Sequence, residues 1–311
     1  MYDLIVYGIT FADLVFADFP HLPSPGEEVY AQSFNFSGGA AYITAVAASR
    51  LGLRVGLVAP FGNDLMSRLL EDMLRQEGVD TRLLFRVNHP VYNITVSINH
   101  GGDRGFLSYQ DGVNEHDLSQ YASDIVEHTP SRWVHLGAGR QSAPVAIAAK
   151  RAGAGISMDV GWNEPWLKSP ELLEVVRLAD VFMPNRKEAL AISGKGDAKS
   201  AANFLNNWVP CIVVKLGSEG ALVKLTDQEM RQVRAPKVEH VQDTTGAGDN
   251  FAAGLIYGLL SGMDTVEAVQ MGNFCGSEST KGFGGNATSP SLETLKSQGK
   301  KEEGVIPLDK I

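Results

Sequence analysis

Two cysteines in 311 residues, Cys211 and Cys275, are too few and too far apart to frame a disulfide-knit fold. Each lies in an apolar stretch, where a free thiol behaves as a small hydrophobe, so a reducing cytoplasmic setting is expected. No Cys-x-x-Cys pair occurs and the seven histidines show no paired metal spacing, which excludes the common zinc frameworks. Basic charge is also short: 27 Lys and Arg stand against 36 Asp and Glu, a net charge of −9. A chain of that sign lacks the basic footprint on which general nucleic-acid binding rests. No apolar run approaches the length of a membrane-spanning helix. The start, Met1-Tyr2-Asp3-Leu4-Ile5-Val6-Tyr7-Gly8, has an early acid and no basic segment, so it reads as a first core strand rather than a secretion signal. The P-loop pattern Gly-x-x-x-x-Gly-Lys-[Ser/Thr] is missing as well.

What is present is enough apolar material for a large core, 44% hydrophobic residues against 20% charged. Short apolar runs at 4–7, 55–59, 133–136, 156–159, 181–183 and 212–215 read as strands. Amphipathic stretches at 40–51, 64–76, 143–151, 170–178 and 187–192 fall between many of them, and two long helices are expected over 248–260 and 265–280. That alternation predicts an α/β fold with a mostly parallel sheet covered on both faces, as one domain over 1–311. Two regions break the rhythm with period-two alternation, about 11–36 and 88–112, the second around a Gly101-Gly102 turn. They predict strands of a small antiparallel sheet that projects as a lid. The tail from Lys296 is charged and reads as surface.

The most informative string is Asp243-Thr244-Thr245-Gly246-Ala247-Gly248-Asp249, followed at once by an apolar helical pattern. A helix start presents unpaired backbone N–H groups and the positive end of a dipole. Gly246, Ala247 and Gly248 let an anion approach that backbone, and Asp249 stands where a carboxylate can take a proton beside it. An anion cradle with an adjacent base suits phosphoryl transfer to a hydroxyl. A capped helix alone would also favour an acid here, but not the two threonines and the second acid upstream. A second small-residue site, Ser37-Gly38-Gly39-Ala40-Ala41, opens the helix that ends near Leu51-Gly52, and Asp13 lies just beyond the first strand. Gly282-x-Gly284-x-x-Ala287 fits a dinucleotide fingerprint only nominally, since it follows a helix rather than a strand.

Taken together these residues resemble the ribokinase-like, or PfkB, family of carbohydrate kinases over nearly the whole chain. The resemblance is carried by Asp243 through Asp249 with Phe251 and Gly254, by Gly38-Gly39 with Arg50, Leu51 and Gly52, by Gly62-x-Asp64, by Asn185-x-x-Glu188 and by Lys215-x-Gly217-x-x-Gly220. It implies a three-layer α/β/α core with a β-sheet lid, ATP as donor and Mg²⁺, with K⁺ in many members. It implies Asp249 as base and Gly246, Ala247 and Gly248 as anion hole. Asp13, Gly38 and Gly39 would face the acceptor, with Ile43 and Arg104 as further acceptor-side candidates of this chain's own, and Asn185, Lys215, Gly217, Gly220 and Asn273 would face the nucleotide. Glu188 and Asn185 would organise Mg²⁺ through water, and Asp243 and Thr245 would hold the monovalent cation. The resemblance further implies a sugar or nucleoside acceptor and a homodimer joined through the lid.

Several positions depart from that pattern. Ile43 stands where many members have an Asn that bonds substrate hydroxyls, and Ala40 where phosphosugar kinases carry a Lys. Asp159-Val160-Gly161 replaces Asp-Pro-Asn, and Gly137-Ala138 lacks a nearby Glu. The phosphoryl-transfer end is thus intact while the acceptor end is altered. Arg104 and Arg140 are candidate cations for an anionic acceptor, and Phe11, Phe36, Phe106 and Trp162 candidate platforms for the base of a nucleoside. A sensor that binds without turnover is the alternative from another class; it would have no need of Asp249.

Overall fold

The structure, a computed structural model, describes residues 1–100 and 103–298. Its main sheet has eight strands: β1 (Tyr2–Tyr7), β4 (Val55–Val58), β9 (Ser131–Gly137), β10 (Gly155–Asp159), β11 (Val181–Phe182), β12 (Cys211–Lys215), β13 (Ala221–Leu225) and β14 (Arg231–Val233). They lie in the order β14-β13-β12-β11-β10-β9-β1-β4. The six from β11 and β12 across to β4 run parallel, and only the β12–β13 and β13–β14 pairs are antiparallel. Alternate side chains feed two separate cores, as strand geometry requires. Leu4 and Val6 of β1, with Cys211 and Val213 of β12, join one core. Ile5, Tyr7, Ile212 and Val214 join the other.

Helices α1 (Ala41–Arg50), α2 (Leu65–Gln76), α9 (Ala247–Leu260), α10 (Thr265–Ser279) and α11 (Leu292–Gln298) cover the first face. Helices α3 (Glu115–His128), α4 (Ser142–Arg151), α5 (Glu164–Leu167), α6 (Pro170–Val176), α7 (Arg186–Ser193) and α8 (Ala198–Leu205) cover the second. The result is the α/β/α layering expected from the alternation. Helix starts are set by side-chain caps: Asp64 Oδ1 accepts from the Ser67 N–H at 2.9 Å, and Asn114 Oδ1 from the His116 N–H at 3.1 Å. The alternation reading leaves out α3, α5, α8 and α11. In α3 the apolar contacts are Leu118, Ala122 and Val126, spaced by four residues but diluted by acids and polar residues. A short pair, β5 (Pro60–Phe61) and β6 (Phe85–Arg86), adjoins the core.

The lid is a four-stranded sheet, β3-β2-β7-β8, built from β2 (Thr10–Ala17), β3 (Ser33–Ala40), β7 (Asn93–His100) and β8 (Asp103–Gln110). It corrects one expectation. The sheet is mixed rather than antiparallel, because β2 and β7 pair in parallel. Two hairpin-like pairs, β2–β3 and β7–β8, are joined through strands separated by the whole α1–α2 segment, and a long crossover permits a parallel pairing. The expected turn at Gly101-Gly102 lies outside the described residues, as does the tail beyond residue 298. Within α11, Leu295 is fully buried, so the surface character expected from Lys296 does not extend back through that helix.

Gly220 closes the β12–β13 turn with φ +91°, and a β-carbon there would lie 2.0 Å from the Val233 carbonyl oxygen of β14. We expect Gly220→Ala to destabilise the fold by about 1–3 kcal/mol or more, because neither the backbone region nor the space admits a side chain. A urea melt of the variant overlapping that of the parent would contradict this packing.

Candidate active site

The carboxyl ends of the parallel strands are where an open α/β sheet places ligands. Here Tyr7, Gly137, Asp159 and Lys215, each the last residue of its strand, border a cleft of about 970 Å³. Its further lining includes Ala40, Ala41 and Thr44 from the start of α1, Asn185 and Glu188 at α7, and Gly248 and Asp249 at α9. Arg140, Trp162 and Trp166 form its outer wall.

The start of α9 is shaped by Gly246, whose φ of +70° reverses the chain before the first helical residue. The Ala247 N–H turns back to Thr244 O at 3.3 Å, and the Asn250 N–H begins the helical ladder on Gly246 O at 2.9 Å. The amides of Gly248 and Asp249, between those two, precede the ladder: the Gly248 N–H is left for a ligand, and the Asp249 N–H turns to its own carboxylate. Two buried side chains hold the turn. Asp243 Oδ1 accepts from the Thr245 N–H and O–H at 2.9 and 2.8 Å, and its Oδ2 accepts from the Gly284 N–H at 3.0 Å. Asn250 donates to both Gly246 O and Gly285 O at 2.8 Å and accepts from Ser289 Oγ. The glycine-rich loop after α10 is therefore the back wall of the helix start. That explains its false likeness to a dinucleotide fingerprint.

Asp249 is half-buried at the cleft and accepts from Thr44 Oγ1 of α1 at 3.2 Å. Burial, followed by the nearby Asp159 charge, pushes its carboxyl up to about 7, against the opposing pull of Lys215. Asp13 of β2 is 7% exposed, and burial and the Asp249 charge likewise push it up to about 7. A β-carbon on Gly39 would stand 2.5 Å from Asp13 Oδ2, so that glycine makes room for the carboxylate. Gly38 instead makes room for Tyr42, whose ring would lie 2.1 Å from a β-carbon at 38. Asp13, Gly38 and Gly39 do not line the cleft themselves; Ala40 and Ala41, next in the chain, do. Ala40 holds φ +55°, backbone that glycine favours.

On the other side, Asn185 and Glu188 form a capping box. Asn185 Oδ1 accepts from the Glu188 N–H at 3.0 Å, and Glu188 Oε2 accepts from the Asn185 N–H at 2.7 Å. Burial raises the Glu188 carboxyl, with that backbone bond pulling it down. Asn185 is thus spent on orienting Glu188. Its acceptor oxygen is already bonded, and its side chain acts on the Glu188 carboxylate together with its backbone N–H.

The remaining expected residues lie less directly on the cleft. Ile43 is buried under the α9 turn, its Cδ1 2.9 Å from the position of a β-carbon on Gly246, and is not part of the lining. Its apolar side chain packs where an acceptor contact was expected. Asn273 is buried on α10 and donates to Val233 O at 2.9 Å, which anchors the exit of β14. Gly217 faces open space and Gly220 is the packed turn described above. Arg104 belongs to β8, with a side chain outside what the structure describes.

Several contributors were not legible beforehand. Thr44 reaches Asp249 across 205 positions of sequence. His135, on the cleft floor, shares Ser157 Oγ with the Trp133 indole at 2.9 Å each, and burial lowers its pKa. Arg140, by contrast, was expected as a candidate cation: it lies 5.3 Å from the Trp166 ring and pairs with Glu171 at 3.4 Å, while Trp166 is fixed by its bond to Ala138 O at 2.7 Å.

Among the described residues no three His, Cys, Asp or Glu side chains gather as a metal site, and no helix is long and apolar enough to cross a membrane.

The sequence profile of the pfkB family carbohydrate kinases matches residues 1–292. The chain is 30% identical to a fructokinase of Escherichia coli, across 84% of this chain and 91% of that one. It is 28% identical to a cytidine kinase of Thermococcus kodakarensis, across 88% and 94%. The solved ribokinase of Arabidopsis thaliana, complexed with ribose and ATP, superposes with a TM-score of 0.79 at 21% identity, covering 94% of this chain and 97% of that one.

Asp243 fixes the α9 turn through three hydrogen bonds to a buried carboxylate. Hydrogen bonds to charged groups contribute about 1.5–3 kcal/mol each. Asp243→Ala should lower unfolding free energy by about 3 kcal/mol or more and expose the 281–290 loop to amide exchange. An unchanged denaturation midpoint would remove Asp243 as the organiser.

Proposed function

The chain belongs to the pfkB family of carbohydrate kinases, and from that premise we propose that it transfers the γ-phosphoryl group of ATP to a hydroxyl of a small sugar or sugar-like acceptor, with Asp249 as the base. The supporting observation is the meeting of Asp249 with the free Gly248 amide at the start of α9, inside the cleft at the strand ends. Asp249 takes the hydroxyl proton as the acceptor oxygen attacks. The Gly248 amide faces the charge on the phosphoryl oxygens, and the electron pair of the breaking bond leaves on ADP. Asp13, behind Gly39, orients acceptor hydroxyls as the lid closes and dries the site.

ATP brings Mg²⁺, which neutralises phosphate charge. Glu188 and Asp159, both on the cleft, offer the hard oxygens that fit it, and one or two carboxylates with water are the usual protein share. A monovalent cation at Asp243 fits less freely. That carboxylate already spends at least three of its roughly four acceptor positions on N–H and O–H donors, so any K⁺ would rest mainly on carbonyls. Activity with and without K⁺ decides it.

One observation favours a nucleoside acceptor as a second reading: Trp162 is 60% exposed at the cleft, open for stacking. The relative named a cytidine kinase adds to it. We also read the lid as the contact of a homodimer. Phe34, Leu107 and Tyr109 are exposed and share, by register, one apolar face with Leu14, Phe16 and Val96.

An ADP-release screen over neutral sugars, sugar acids and nucleosides with Mg²⁺ tests the activity and separates the acceptor classes. Asp249→Asn should bind ATP within a few fold and lose about 10²- to 10⁴-fold in turnover; turnover near that of the parent would refute the assigned role. Because the base must be ionised, kcat/KM should climb with pH and level off above about 7. A flat profile between pH 5 and 8 would contradict it. The sign for stability is opposite. A carboxyl raised from 3.8 to about 7 contributes stability that is fully present below 3.8 and is lost as pH rises through 7. Asp249→Asn should therefore melt at a higher temperature than the parent at pH 8, with the gap closing toward pH 4.

A further inference from the structure

Lys215 ends β12, with its N–H on Pro184 O at 2.9 Å and its backbone bridged to Asn185. The main chain is thereby fixed beside the capping box, and the side chain crosses the cleft toward α9. Its Nζ lies 3.1 Å, and its Cε 3.9 Å, from the point a β-carbon on Gly248 would occupy. A side chain at 248 would push the ammonium back by a few tenths of an ångström from its place beside the Gly248 amide. Among the described residues, Nζ has no hydrogen-bond or ion-pair partner, although its charge is felt by His135, Glu188 and Asp249. A cation held without a partner, in a cleft rimmed by Asp159, Glu188 and Asp249, has a place for an anion on its open side.

From this geometry we propose that Lys215 is a catalytic residue that donates to a non-bridging oxygen of the transferring phosphoryl group, opposite the Gly248 amide. The assignment rests on the kinase reading and moves Lys215 from the border of the nucleotide to the reacting phosphorus. In the step, the acceptor oxygen bonds to the γ-phosphorus, the bond from that phosphorus to the β-bridging oxygen breaks, and its electron pair stays on ADP. The hydroxyl proton goes to Asp249, and Lys215 keeps its own. As a point charge with three donors, Lys follows the phosphoryl group as it moves between oxygens, and its attraction grows as charge spreads over the equatorial oxygens. A glycine at 248 thus leaves room for a ligand at its amide and for the ammonium of the neighbouring strand beside that ligand.

The test compares binding of Mg²⁺·ADP with and without aluminium fluoride, a mimic of the transferring group, by calorimetry on the parent, Lys215→Met and Lys215→Arg. The parent should bind the fluoride complex more tightly than Mg²⁺·ADP. Lys215→Met should bind Mg²⁺·ADP within about threefold of the parent, which also shows that it folds, and lose the extra affinity. With an active acceptor its kcat should fall about 10²- to 10³-fold, as for removal of one oxyanion donor, and Lys215→Arg should recover part of the loss. The proposal fails if Lys215→Met keeps the extra affinity, or if Mg²⁺·ADP alone weakens as much as the fluoride complex. The first result would place Lys215 away from the phosphorus, and the second would make it an ordinary nucleotide contact. If the parent binds Mg²⁺·ADP yet no acceptor is phosphorylated, the calorimetry still decides Lys215, and only the kinase reading is damaged.

Discussion

One buried carboxylate, Asp243, sets the conditions for the rest of the site. A chain that reverses at Gly246 and leaves two amides outside the helical ladder does not hold itself in place; the ladder of α9 begins only at Asn250. Asp243 supplies the missing constraint by bonding forward to Thr245 and across to Gly284, and Asn250 repeats the device from inside the helix with Gly246 and Gly285. Both residues are all but inaccessible, at 2% and 0% exposure, so little water competes for those bonds. Preorganised amides are useful only if they do not relax when a charge arrives, and this frame prevents it.

Charge in the cleft is arranged by the same logic. Acids outnumber cations around the strand ends, and burial makes their ionisation harder. Asp13 and Asp249 both end near 7 for that reason, and Glu188 moves in the same direction. Such a site is costly to keep empty at neutral pH and well matched to a proton exchange there. Lys215 supplies a compensating charge from the strand facing α9.

The layered core was readable because its strands are short, apolar and separated by amphipathic stretches, so the two periodicities do not mix. Helix α3 escaped because its polar residues blur the four-residue spacing of Leu118, Ala122 and Val126. The parallel pairing of β2 with β7 escaped because alternation marks a strand and its wet face, not its partner. The α9 string was legible as a whole because its chemistry is local. The contacts made by Thr44, Asn35 and Asn286 were not, since each closes over more than two hundred residues and leaves no periodic trace. Ile43 shows the converse. A position inferred from resemblance is filled here by an apolar side chain that packs beneath the turn.

The lid is tied to this frame at one point. Asn35 of β3 donates to Phe283 O at 2.8 Å, in the loop whose next residue bonds Asp243. The inner edge of the sheet is consequently linked through the 283–284 loop to the start of α9, so a shift of β3 as the cleft narrows is felt where the helix begins.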